Sequence, residues 1–178
     1  MIITEKELQE LLKKIDLLDD KKIVELQEFM KNAHVDFHEA LLQANIISDE
    51  KLGITIANHL KIPFVALSKI SIPQEVFHIV PEKIARKHKI LAFDRDSSGI
   101  KVAMADPTNK DILDMLAQKT QSKIFPHLAT ERDINNAFYI FKKDLQKEFD
   151  ELVGKVEGKT PKYPKEIPVS KLVDLMLE

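Results

Sequence analysis

The first sixty residues carry short apolar stripes at helical spacing, separated by polar breaks. Leu8, Leu11, Leu12 and Ile15 recur on one helical face. Thr4 with Glu7 three positions on has the form of a capping box, so a helix is predicted over 4–16. Asp19 opens a second helix, continued by Ile23, Leu26, Gln27 and Met30. Residues 35–44 and 48–60 repeat the arrangement, with Ser48 as cap and Leu52, Ile56, Ala57 and Leu60 facing inward. This is an internal repeat at an offset of 29: Leu12, Leu17, Leu18, Asp19 and Ile23 fall on Leu41, Ile46, Ile47, Ser48 and Leu52. Asp16 and Asn45 stand just before the apolar pair of each copy. Asp and Asn tolerate the left-handed conformation that ends helices, so both are expected at positive φ.

After Pro63 the pattern changes. Phe64–Leu67 reads as a short strand, and Ser71-Ile72-Pro73 opens a short helix through Ile79. Pro81 suits a first helical position, where its missing N–H is no loss. Ile90–Phe93 is an apolar run of strand length, 94–99 is turn chemistry, and Ile100, Val102 and Met104 alternate as a half-buried strand does. Asp106 precedes Pro107, which pushes it toward the extended backbone that a cap needs. Asp106 is therefore expected to cap the following helix by accepting the N–H of Thr108 or Asn109. That helix carries Ile112, Leu113, Met115 and Leu116. Lys123–Leu128 is a further strand, and Pro126 within it argues for a sheet edge. Thr130 with Asp133 resembles a capping box, opening a stripe of Ile134, Phe138, Phe141, Leu145, Phe149 and Leu152. Core is the ordinary use of such a stripe, but its length also suits docking or pairing with another copy.

The fold class predicted is α+β: an N-terminal bundle of short helices, then a small sheet flanked by helices. The expected divisions are a helical tandem-repeat part at 1–62, an α+β part at 63–153 ending in a long helix, and a linker at 154–168. The linker is marked by Gly154, Gly158, Pro161, Pro164 and Pro168. At 169–178, Val169, Leu172, Val173 and Met176 begin another helical stripe.

Composition narrows the chemistry. The net charge of −2, spread along the chain, gives no global attraction to nucleic acid or an anionic membrane. With no cysteine, disulfides, thiolate zinc sites and cysteine nucleophiles are excluded. The opening residues carry no apolar run of the kind a signal peptide has, and a cytoplasmic location is expected. Gly154–Thr160 nearly spells a P-loop, but only three residues separate Gly154 from Gly158-Lys159-Thr160, and Pro161 follows; a linker is the better reading. His34 and His38 have ligand spacing without a carboxylate partner to complete a site. Asp94, Asp96, Asp106 and Asp111 are tempting carboxylates, but turn and cap roles suffice for the first three. No catalytic, cofactor-binding or metal residue is assigned, and no cofactor is expected.

Pro81-Glu82, Ala85-Arg86, Ile90, Phe93, Gly99-Ile100 and above all Val102-Ala103-Met104-Ala105-Asp106-Pro107 form an ordered set. It resembles the N-terminal domain of the secretion and pilus-assembly ATPases, that is, the type II secretion ATPase (general secretory pathway protein E) and the type IV pilus assembly ATPase. The resemblance covers 35–143 and, more loosely, 1–34. It implies a non-catalytic regulatory or docking domain, not an enzyme itself, whose parent is an ATPase. It also implies as partners that ATPase body and inner-membrane platform proteins, with a place at the inner membrane reached through them and no direct insertion, and with 169–178 opening the ATPase domain. Some members bind cyclic di-GMP through two tandem motifs running Arg-Leu-Gly, a second Gly, an apolar pair, Ser or Thr, and a final Gln. Here Glu7-Leu8-Gln9 and Asp36-Phe37-His38 stand at Arg-Leu-Gly, Asp16 and Asn45 at the second Gly, and Met30 and His59 at the final Gln. Acids in place of both arginines repel a phosphate, so a cyclic dinucleotide receptor is the alternative function, and binding is not expected.

Overall fold

The structure is a computed structural model that describes residues 2–138. The described residues lie within one compact unit, Met1–Ile140. Four helices come first: α1 (Glu5–Lys14), α2 (Asp20–Ala33), α3 (Phe37–Gln43) and α4 (Asp49–Leu60). Each starts at a side-chain cap. Thr4 and Glu7 close a full capping box, with the Thr4 N–H donating to Glu7 Oε2 (2.8 Å) and the Glu7 N–H to Thr4 Oγ1 (3.3 Å). Asp19, Asp36 and Ser48 accept the N–H of Lys22 (2.7 Å), Glu39 (2.8 Å) and Lys51 (3.4 Å).

The two copies agree down to single hydrogen bonds. Asp16 and Asn45 both adopt positive φ, 55° and 53°. The Asp16 N–H donates to Lys13 O and that of Leu17 to Leu12 O, both at 3.0 Å. In the second copy the Asn45 N–H donates to Leu42 O and that of Ile46 to Leu41 O, both at 3.1 Å. This paired pattern is the Schellman closure of a helix end, which turns the chain so that Leu18 and Ile47 drop into the core. Leu8, Leu12, Leu41 and Leu52 are fully buried, but Ile15, placed on the inner stripe by spacing, is 44% exposed. The helix has ended at Lys14, so Ile15 no longer follows its periodicity.

The second half holds α5 (Gln74–Phe77), α6 (Glu82–His88), β1 (Ile90–Asp96), β2 (Gly99–Met104), α7 (Lys110–Thr120), β3 (Ile124–Leu128) and α8 (Glu131–Ala137). The sheet order is β1-β2-β3, with β1 antiparallel to β2 and β3 parallel to it, which puts Pro126 on an edge strand. β1 runs three residues beyond its apolar stretch, because Asp94, Arg95 and Asp96 pair with Lys101, Ile100 and Gly99 past an irregularity between Ala92 and Asp94. Only Ser97 and Ser98 remain as the turn. Asp96 Oδ1 accepts the N–H of Ser98 (2.7 Å) and of Gly99 (3.2 Å), and also the Ser98 hydroxyl.

Local readings shift elsewhere too. Phe64–Leu67 is not a strand: Phe64 makes one parallel bridge to Leu128, and Leu67–Lys69 is a 3-10 turn. Pro81 is the cap residue of α6 rather than its first helical residue. Asp106 Oδ1 accepts the Thr108 N–H (3.0 Å), as expected, but this closes a turn before the helix. The cap of α7 is Asn109, whose Oδ1 accepts the Ile112 N–H (3.3 Å). Asp106-Pro107 thus makes one turn, and the helix restarts three residues later. At α8, Thr130 Oγ1 accepts the Asp133 N–H (3.1 Å), while Asp133 Oδ2 takes the Ser68 N–H (3.3 Å), so the box is half closed. The stripe beyond Phe138, the linker and residues 169–178 lie outside the described residues.

Two outcomes test these assignments. Asn109→Ala should cost about 1 kcal/mol in a denaturant melt and Asn109→Asp almost nothing, because Asp caps as well as Asn. The Ser98 and Gly99 donors, with Lys101 nearby, pull the Asp96 carboxyl from its ordinary 3.8 to about 2. The native state therefore prefers the ionised form; that contribution is whole above about pH 3.8 and is lost as pH falls through about 2. The urea midpoint of the parent chain should drop more steeply over that window than that of Asp96→Asn.

Candidate functional site

Three helix starts that are distant in sequence meet at one place. Asp36 at α3, Asp49 at α4 and Thr130-Glu131 at α8 line a groove of about 740 Å³. Its floor is apolar, with Ile3 6%, Ile56 7% and Leu128 4% exposed. Gly53 allows this closeness: a Cβ there would lie 2.5 Å from Phe64 Cε2 and 3.0 Å from Thr130 Cγ2. Only a residue without one lets α4 approach the chain entering the sheet.

Acids dominate the groove because helix starts attract them. Asp36 is a cap, Glu39 sits in the first turn of α3, Asp49 opens α4 and Glu131 opens α8, each complementing a helix dipole. Gln43 Nε2 donates to Glu39 Oε1 (3.1 Å), and His38 Nε2 stands 3.9 Å from Asp49 Oδ1. Arg132 is the one arginine or lysine among the lining residues.

The residues weighed in the sequence separate in space. Asp36 and His38, of the second Arg-Leu-Gly position, line this groove; Glu7, of the first, does not. Both acids have structural work. Glu7 accepts from Thr4, whose backbone N–H above all holds its carboxyl below the usual range, and Asp36 caps α3. His34 and His38 do not share a helix face. His34 ends α2 in the left-handed conformation, with its Nδ1 3.3 Å from Asn32 O, whereas His38 lies in α3. Among the described residues no group of three His, Asp or Glu side chains is placed to hold a metal.

Asp94 and Asp96 are tied to the Lys101 ammonium at 2.7 and 3.4 Å. Asp106 holds its turn, and Asp111 lies in the first turn of α7. Gly154–Thr160 lies outside the described residues. Sequence reasoning missed Glu39, Asp49 and Glu131 as neighbours, although an acid in the first turn of each helix was visible.

Comparison with known proteins bears on the whole arrangement. The MshEN domain family matches residues 60–139. The type IV pilus assembly ATPase PilB of Myxococcus xanthus is 25% identical over 183 residues, covering 96% of this chain and 32% of that protein. PilB of Thermus thermophilus is 24% identical over 117 residues, covering 65% of this chain and 13% of that protein. The chain thus spans a third or less of the length of these relatives. Among solved structures, MshE with cdg superposes with a TM-score of 0.56 at 20% identity, over 74% of this chain and 95% of that one. The N-terminal domain of XpsE does so with a TM-score of 0.52 at 15% identity, over 76% and 94%. At these identities the structural likeness speaks for the fold. Residues 60–139 thus match the MshEN domain, and nearly the whole chain is similar to a part of a type IV pilus assembly ATPase.

Proposed function

We propose that this chain is the regulatory and docking domain of a pilus-assembly or type II secretion ATPase, linking the motor to membrane-anchored assembly components. The observation that carries the reading is the MshEN match at 60–139 in a chain that aligns with PilB over 96% of its length. Its partners on this reading are the ATPase body of its own parent and inner-membrane platform proteins, met on the cytoplasmic side. Residues 1–62 and 63–153 are its two structural parts, and 154–168 is the linker toward the motor. Among the described residues no helix is long and apolar enough to cross a membrane.

The purified chain should bind the cytoplasmic segments of the inner-membrane assembly proteins of its own organism in surface plasmon resonance. It should show no magnesium-dependent ATP turnover. Failure to bind any of them would remove the docking role. Saturable hydrolysis abolished by Lys159→Ala would remove the non-catalytic one.

A second reading has one observation in its favour: MshE with cdg, cyclic di-GMP, shares this fold. Asp16 and Asn45, at the second Gly positions of the resembled motif, take the left-handed conformation that glycine favours. Against it, Glu7 and Asp36 place negative charge where the resembled motif has arginine, and capping holds both in position. Calorimetry with cyclic di-GMP at moderate salt is expected to show no saturable heat. A micromolar dissociation constant would make the receptor reading the better one.

A further inference from the structure

The geometry points to the groove between α3, α4 and α8 as a docking surface for a basic, partly apolar segment of a partner protein. This rests on the docking reading above and says where the contact lies and what chemistry recognises it. Ile2 and Leu42 offer apolar area above the buried Ile3, Ile56 and Leu128, and the rim offers Asp36, Glu39, Asp49 and Glu131. Set against the guanidinium of Arg132, those four carboxylates leave three net negative charges, more than the −2 carried by the whole chain.

The carboxylates have no strong cation of their own. Among the described residues no lysine or arginine ion-pairs with any of the four, and the His38 contact to Asp49 is long, at 3.9 Å. Elsewhere on the surface acids do have lysine partners: Asp20 with Lys13, Glu50 with Lys69, and Asp94 and Asp96 with Lys101. At each of the three helix starts one first-turn N–H is already taken, by Asp36, Ser48 and Thr130. What faces outward is carboxylate charge around an apolar floor. A phosphate would meet repulsion there. A lysine or arginine on a segment that also carries leucine or isoleucine satisfies both parts, with its aliphatic stem on the floor and its charge at the rim. Charge complementarity of this kind favours fast, salt-sensitive association.

The test is a titration of the full 178-residue chain, labelled with nitrogen-15, with a blocked nonapeptide alternating leucine and arginine. The control peptide carries glutamate in place of arginine. The arginine peptide should shift the amides of Glu39, Gly53, Ala105 and Glu131, and the glutamate peptide should not. Affinity should fall about tenfold between about 50 and about 300 mM salt. The Glu39→Gln/Glu131→Gln variant, which alters neither a cap nor the floor, should also weaken binding about tenfold.

The proposal fails if the groove amides do not move, if both peptides bind alike, or if the shifts spread equally to the Asp94–Asp96 hairpin. It also fails if the same amides broaden with chain concentration before peptide is added, which would assign the groove to a second copy. Unchanged binding of the variant to the inner-membrane proteins above would remove the groove while leaving docking in place. Loss of all binding by the parent chain would remove docking itself.

Discussion

Leu128 joins the two halves of this fold. Its N–H donates to Pro63 O at 2.8 Å, its carbonyl accepts the Val65 N–H at 2.9 Å, and its side chain lies in the same buried cluster as Leu8, Leu41 and Leu52. The helical copies carry helices of only 7–14 residues, which are not stable alone in water. The sheet has only three strands and needs cover. One backbone bridge and one buried leucine tie the sheet to the helical core. Gly53 is the counterpart on the helical side, since any side chain there would press on the Phe64 ring beside that bridge.

The same economy explains the acidity of the groove. Short helices lose a large share of their backbone hydrogen bonds at their ends, so a start gains from a cap and from a nearby acid. Three starts converge, and their acids converge with them. Residues that serve local stability thereby set the electrostatic character of a surface. That surface has the sign to meet a basic partner, and the opposite sign from one that holds a phosphate.

Much of the architecture was legible because it is local. The repeat at offset 29, the positive φ of Asp16 and Asn45, the caps at Thr4, Asp19 and Ser48, the edge position of the strand containing Pro126 and the α+β class all follow from residue type and spacing. So does the recognisable run Val102–Pro107. Asp106 shows the limit of such reasoning. Its bond to Thr108 was foreseeable, yet the same bond fits a turn or a helix start, and only the path of the chain into α7 decided for Asn109 as cap.

What the sequence determined by itself was thus every feature governed by neighbours within about one helical turn, where backbone sterics and capping bonds act. Three things only the tertiary structure decided. Phe64 contributes one bridge rather than a strand, because its partner Leu128 lies sixty-four residues on and offers one position. His34 and His38, four apart, are not on one helix, because the chain leaves α2 at His34 itself, in the left-handed conformation, before α3 begins. Asp36, Asp49 and Glu131 become one surface because burial of Leu128 and the closeness allowed at Gly53 draw three helix starts together. Spacing along the chain carries no trace of that convergence, since the forces that produce it act between side chains far apart in sequence.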